Sequence, residues 1–385
     1  MSLKKIVVAS DSFKGSVSSA EVADCVEVAI HRVFPDCEVV KIPVGDGGEG
    51  TVDSLIAEMK GREVRCVVHD PLMRPIEVSY GLSGDGRIAI LEIAAAAGLT
   101  LVPVAERNPL LTTTYGVGEM IKDALCRGCR RFLMGIGGSA TNDAGMGLLQ
   151  ALGFRFLDEH GKVLGQGGEA LERVHSVDDA GVLSSLRESS FTLACDVCNP
   201  FYGEQGAAYV FAWQKGADEA MIQRLDRGLR RFADVIQKTT GIRVDDLPGA
   251  GAAGGLGGGL VAFLGATLKS GIQVVLEACR FEERIQGADL IVTGEGRIDR
   301  QTCMGKTPFG VLQAGMRYGI PVIALGGSVE EVDALNQKGF LAVFPILPYP
   351  VSLEQAMEKA FTCQNIIRTF EQLLRVSRLG FPRSY

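Results

Sequence analysis

The chain has 385 residues, of which 46% are hydrophobic and 22% charged, enough for two or three domains around sizeable cores. Its 49 glycines exclude neither order nor enzyme chemistry; without a collagen period they favour several tight backbone loops over a fibrous or disordered chain. A formal net charge of −7 argues against general nucleic-acid binding, which needs basic surface to displace counterions.

"MSLKKIVVAS" has too short an apolar run before Asp11 for a secretory signal. The most membrane-like stretch, residues 250–268, is too rich in glycine for a hydrocarbon-spanning helix, so no membrane partner is expected. Ten cysteines read as reduced thiols of a cytoplasmic protein. The pairs Cys126/Cys129 and Cys195/Cys198 have zinc-like spacing, but the first closes a helix before a basic turn and the second follows a hydrophobic strand. The four histidines avoid every glycine-rich loop, so histidine chemistry is not expected.

In chain order, "KKIVVAS" predicts a strand buried on both faces. The loop "DSFKGS" follows, then a helix with a capping box at Ser18 and Glu21. Val22, Cys25, Val26, Ala29, Ile30 and Val33 recur at helical spacing along it. "CEVVKIPV", "DGGEG" and "TVDSLIAEM" then read as strand, loop and helix, completing a βαβα unit of a parallel sheet. "REVRCVVHD", "IEVSYGL" and "RIAILEIA", joined by short turns, predict an antiparallel meander. Mixed α/β structure continues to about residue 285. Strand–helix alternation returns at "ADLIVTG" and runs through "PVIALGG" and "LAVFPIL" to a long final helix.

The simplest account is a two-domain α/β protein. Residues 1–62 and 286–385 form a doubly wound, flavodoxin-like domain with a five-stranded parallel sheet, and residues 63–285 form a mixed α/β domain inserted into it. With strand order 2-1-3-4-5, "DSFKGS" and "GEGRIDRQT" flank the topological switch point, where open α/β sheets bind ligands.

Six loops carry candidate chemistry. "GIGGSATND" (135–143) lies between a strand and a helix; its backbone N–H groups, Ser139 and Thr141 can donate to phosphate oxygens although the loop holds no lysine. "DSFKGS" offers Ser12 and Lys14 beside a helix N-terminus, suited to phosphate or carboxylate. "VGDGGEGT" (44–51) sets Asp46 and Glu49 among glycines, as a metal ligand or proton acceptor would require. "ACDVCNP" ends a strand with Asp196. "PGAGAAGGLGGG" (248–259) contains GxGxxG, but no strong strand precedes it, so close packing or approach to a ligand is expected there. "GEGRID" brings Glu295, Arg297 and Asp299, and arginine can clamp a carboxylate with two bonds. "MGKT" (304–307) shares the ending of a P-loop but lacks its first glycine, so no Walker A is expected.

Taken together, "DSFKGS", "GDGGEGT", "RNPLLTTTYGVGE", "GIGGSATNDAG", "ACDVCNP", "PGAGAAGGLG" and "TGEGRIDRQTCMGKTP" resemble the bacterial glycerate kinase family of class I, in order along nearly the whole chain. The resemblance implies ATP-dependent phosphorylation of D-glycerate to 2-phosphoglycerate with Mg²⁺, in a two-domain α/β architecture. Closure of the domains over a site in their cleft would exclude water. Chemistry then suggests the roles. Asp196, Asp46 and Lys14 are the catalytic candidates, with Asp196 the first choice of base. Gly137, Gly138, Ser139, Thr141 and Asn142 are expected to hold the nucleotide phosphates. Ser12, Arg297 and Asp299 are assigned to glycerate, and Glu49, Asp143 and Glu295 to the metal. Two other classes compete: a nicotinamide-dependent oxidoreductase, against which the GxGxxG is misplaced, and a non-catalytic sugar-acid-binding protein, against which the loops concentrate acids. A homo-oligomer is compatible with the sequence.

Overall fold

The computed structural model describes residues 3–45, 51–300, 302 and 305–378. The chain divides into two compact units, Met1–Ser54 with Gly271–Tyr385, and Leu55–Ser270. These seams stand against expected ones at 62/63 and 285/286. The helix Gly271–Ala278 goes with the first unit because it packs on the helix Thr307–Arg317, where a Cβ at Gly310 would lie 2.6 Å from Ile272.

The first unit is built on strands β1 (Lys5–Val8), β2 (Glu38–Lys41), β11 (Leu290–Ile298), β12 (Val322–Val329) and β13 (Ala342–Pro345). They form one sheet in the order β2-β1-β11-β12-β13, every neighbouring pair parallel. This is the expected 2-1-3-4-5 arrangement. Ile6, Val7 and Val8 are fully buried, as a central strand covered on both faces demands. The helix Ser19–Val33 begins with the predicted capping box: the Ser18 hydroxyl accepts from Glu21 N, and Ser18 N donates to the Glu21 carboxylate. Its apolar stripe, including Val22, Val26 and Ile30, packs with Ile366, Phe370 and Leu374 of the helix Lys359–Ser377.

The second unit holds β3 (Arg62–His69), β4 (Pro75–Leu82), β5 (Ile88–Glu92), β6 (Arg131–Gly135), β9 (Ser190–Ala194) and β10 (Thr267–Lys269) in one six-stranded sheet, in that order. The first three strands form the expected antiparallel meander; β5, β6, β9 and β10 continue it in parallel. A small hairpin, β7 (Arg155–Leu157) with β8 (Ser176–Asp178), stands apart from it. Register decides where the loops emerge. Glu92 pairs with Gly135 and Gly135 with Ala194, so β5, β6 and β9 end level at one sheet edge. The loops after β6 and β9 leave side by side.

The glycine-rich segment 248–259 serves close packing. A Cβ at Gly254, which sits at φ +71°, would lie 2.2 Å from the Thr141 carbonyl oxygen; one at Gly251 would lie 2.1 Å from that of Pro200. The segment thus presses backbone to backbone on both loops, and Ala144 N donates to Gly254 O at 3.1 Å. Among the described residues, no helix is long and apolar enough to cross a membrane.

Candidate active site

The run "RFLMG" of β6 delivers the chain to Gly137 and Gly138, both exposed. A two-way bridge ties the next residues down: Leu99 N donates to Gly138 O at 2.9 Å, and Ala140 N to Ala97 O at 2.8 Å. Thr112 Oγ1 donates to Ala140 O at 2.8 Å from the other side. Among the described residues, the N–H groups of Gly137, Gly138 and Ser139 donate to no protein acceptor. Gly138 has φ +71°, a conformation that turns successive N–H groups to one side. The result is a shallow row of unspent donors at the carboxyl end of a strand.

The side chains that follow point the other way. Thr141, Asn142 and Asp143 are fully buried. Asp143 organises the turn: Oδ2 accepts from Thr114 N and Thr114 Oγ1, each at 2.8 Å, and from Gly147 N at 3.2 Å, while Oδ1 accepts from Gly145 N at 3.2 Å. Burial pushes its carboxyl up, opposed by these donors. Asp143, expected as a metal ligand, therefore has its oxygens committed to the loop. Thr141 and Asn142, expected on the phosphates, are turned inward by the same anchoring, and the Thr141 hydroxyl and the Asn142 amide have no partner among the described residues. The groups of this loop that face no protein acceptor among the described residues are the N–H groups of Gly137–Ser139.

The Ser139 hydroxyl has an unforeseen partner. Lys215, only 2% exposed, ends the turn Trp213–Lys215 and reaches under the loop. Its Nζ donates to Ser139 Oγ at 2.9 Å and to Thr141 O at 2.6 Å. Burial pushes its ammonium down to about 7, against the pull of the Asp143 carboxylate. The sequence carries little signal for this, because "FAWQKG" reads as an apolar turn with a solvated lysine at its end. Beside the cradle, Asp196 is exposed on the loop after β9. That loop is held by Asn199 Nδ2 donating to Gln205 O at 2.8 Å. Register thus places the candidate base at the same sheet edge as the candidate phosphate loop.

The first unit holds a separate cavity of about 410 Å³ at the carboxyl ends of β1 and β11. Its polar side carries Asp11, Ser12, Lys14, Glu295, Arg297 and Lys306; Leu353 and Met357 are among its apolar lining. Asp11 is buried; its carboxylate accepts from Ser12 N at 2.6 Å and from Thr307 Oγ1 at 3.0 Å. Glu295 accepts from Thr302 Oγ1 at 2.6 Å and lies 3.5 Å from Lys306 Nζ. Burial holds the Glu295 carboxyl above the usual range, and the Asp11 charge adds to the effect. Arg297 pairs with Asp299 at 3.2 Å and with Glu330 at 3.0 Å, its side chain 63% exposed. Exposed pairs such as that with Glu330 are worth little to stability.

The structure thus brings Ser12, Lys14, Glu295, Arg297 and Asp299 together in one unit, and Gly137, Gly138, Ser139 and Asp196 at one edge of the other. Asp46 and Glu49 lie outside the described residues. Although "MGKT" is no Walker A, Lys306 lines the cavity and Thr307 Oγ1 donates to Asp11. Among the described residues, no group of three or more His, Cys, Asp or Glu side chains is arranged to hold a metal ion.

Unspent N–H donors at a strand end, and a cavity edged by acids and lysines at a topological switch point, are the parts of a phosphotransferase, and similarity to known proteins makes this chain a kinase. The profile of the Glycerate kinase family matches residues 6–378. The chain is 50% identical over 357 residues to a glycerate kinase of Bacillus subtilis (strain 168), covering 92% of this chain and 94% of that one. It is 45% identical to a glycerate 2-kinase of Escherichia coli (strain K12), covering 98% of each. A crystal structure of a glycerate kinase 2 from Salmonella typhimurium LT2 superposes with TM-score 0.85 at 44% identity, over 98% of this chain and 99% of that one. The chain belongs to the glycerate kinase family.

The cradle has a clean test at Gly137. A Cβ there meets nothing within 4 Å and no positive φ is required, whereas any side chain at Gly138 would be strained. Gly137→Val should therefore melt like the parent protein while raising the Kd for ATP at least about tenfold, the cost of losing one or two charge-assisted hydrogen bonds. Calorimetric titration and a thermal melt of the same sample read both.

Proposed function

We propose that this kinase transfers the γ-phosphoryl group of ATP to the 2-hydroxyl of D-glycerate, giving 2-phosphoglycerate and ADP. The observation that carries the reading is the row of unspent N–H groups at Gly137–Ser139, level with Asp196 at one sheet edge. Phosphoryl transfer needs little covalent work from a protein; it needs positioned phosphates, neutralised charge and an in-line hydroxyl. Gly137, Gly138 and Ser139 hold the phosphates, with Thr141, Asn142 and Asp143 shaping the loop behind them. Asp196 takes the hydroxyl proton, with Asp46 the second candidate. Ser12, Arg297 and Asp299 receive glycerate, its carboxylate exchanging into the exposed Arg297 pairs, and Lys14 supplies positive charge. The family names of the relatives favour glycerate as the acceptor.

Mg²⁺ bound to nucleotide phosphates usually takes only one or two carboxylates from the protein and keeps several waters. Glu295, with Asp11 close enough to raise its pKa, fits that need, and Glu49 is a further candidate. The metal would neutralise phosphate charge there. Asp143 fits less well because a metal would have to displace the donors on both of its oxygens. The nine described cysteines are all free thiols, as the cytoplasm would keep them.

Proton-coupled ³¹P spectra of the reaction with ATP, Mg²⁺ and D-glycerate test the regiochemistry. Phosphate on the 2-hydroxyl couples to one proton and gives a doublet; a triplet from the 3-CH₂ group, or no new signal, contradicts the reading. For the base, Asp196→Asn should lower kcat by roughly 10²-fold or more with little change in either KM. Added Mg²⁺ should not restore it; recovery on Mg²⁺ titration would make Asp196 a metal ligand instead.

A further inference from the structure

A phosphate loop without a lysine of its own is backed here by one that arrives 76 residues later than Ser139. The placement is costly. Burying an ammonium costs several kcal/mol unless acceptors surround it, and a turn that had only to change direction could be built from apolar residues. In the same loop the buried Thr141 hydroxyl and Asn142 amide find no partner among the described residues, a further expense. Such a concentration of polar groups beneath the exposed Gly137 and Gly138, with Ser139 itself 7% exposed, points to a task above it.

The geometry at Ser139 shows the task. In its protonated form, which an anion bound above the loop would favour against burial, Lys215 can only donate. With Nζ at 2.9 Å, it occupies an acceptor lone pair of Ser139 Oγ, and the hydroxyl proton must turn away from it. Among the described residues that proton finds no other acceptor. The second bond, to Thr141 O, fixes Lys215 so that it cannot swing aside.

We propose that Lys215 is a positioning residue for anion binding: by donating to Ser139 Oγ it makes the Ser139 hydroxyl an obligatory donor, aimed with the N–H groups of Gly137–Ser139 at a phosphoryl oxygen of the nucleotide. Its charge lies one hydrogen bond behind the anion, so the loop gains the field of a lysine without placing an amine among the substrates. The proposal rests on the loop being the phosphate cradle.

Four proteins decide it: the parent, Lys215→Met, Ser139→Ala and the double variant, each checked for a cooperative melt. ATP affinity is measured by calorimetry, and KM for ATP and for glycerate by steady-state assay. Each single change should raise the Kd and KM for ATP by about tenfold or more and leave the glycerate KM within about twofold. The double variant should bind no worse than the weaker single one, since the two groups act as one device. A merely structural pin would move both KM values together, and that result overturns the proposal, as does unchanged ATP affinity in a folded variant. If Lys215→Met does not fold, Ser139→Ala, which keeps the lysine and removes only the hydroxyl, decides alone. Gly137→Val separates the two levels. If it too leaves ATP binding intact, the cradle reading fails; if it weakens binding while Lys215 and Ser139 prove neutral, only the present proposal fails.

Discussion

One buried carboxylate shapes the loop on which the second unit's chemistry depends. Asp143 collects the N–H and hydroxyl of Thr114 and the N–H groups of Gly145 and Gly147. Those donors come from the starts of two helices, Tyr115–Cys126 and Met146–Ala151, so a single side chain ties both helix starts to the loop after β6. An apolar residue there would leave these donors unsatisfied, each at a cost of about 1–3 kcal/mol. With the chain held from below, the N–H groups of Gly137–Ser139 donate to no protein acceptor among the described residues. A rigid base and an exposed rim of donors is the division of labour that preorganised anion sites require.

Most of the architecture was legible because it rests on local periodicity. The continuous apolar runs "KKIVVAS" and "ADLIVTG" announce strands buried on both faces, and the βαβα rhythm at both ends of the chain implies a shared sheet. The helix cap at Ser18 was visible for the same reason, as its partners lie three residues apart. The parallel extension of the meander by β6, β9 and β10 was not resolved, because short strands separated by long insertions leave no pairing signal.

The site was legible in part. Loops that needed glycine and polar residues together stood out, and the structure gathers Ser12, Lys14, Glu295 and Arg297 around one cavity. Side-chain direction did not stand out. Thr141 and Asn142 look like phosphate donors by composition, and nothing local says that Asp143 turns them inward. Lys215 was invisible because burial of a lysine is decided by what packs over it; here Gly216, at φ +90°, lets the turn press against the Arg107 backbone. Lys306 and Thr307 were hidden by a motif that failed as a whole while two of its residues still served the site. For the glycine run 248–259 the sequence leaves close packing or approach to a ligand open, and the structure shows the packing, at Gly251 and Gly254.

In the reading proposed here, the glycine loop of the second unit takes the phosphates through its backbone, backed by a lysine from elsewhere in the chain. The most direct measurement is a crystal structure with a non-hydrolysable ATP analogue and D-glycerate bound. The account predicts phosphate oxygens within hydrogen-bond distance of the Gly137, Gly138 and Ser139 N–H groups and of the Ser139 hydroxyl, with Lys215 Nζ still on Ser139 Oγ. Phosphates seated instead against Lys14 and Lys306 of the first unit, with the 137–139 donors facing solvent, would contradict it.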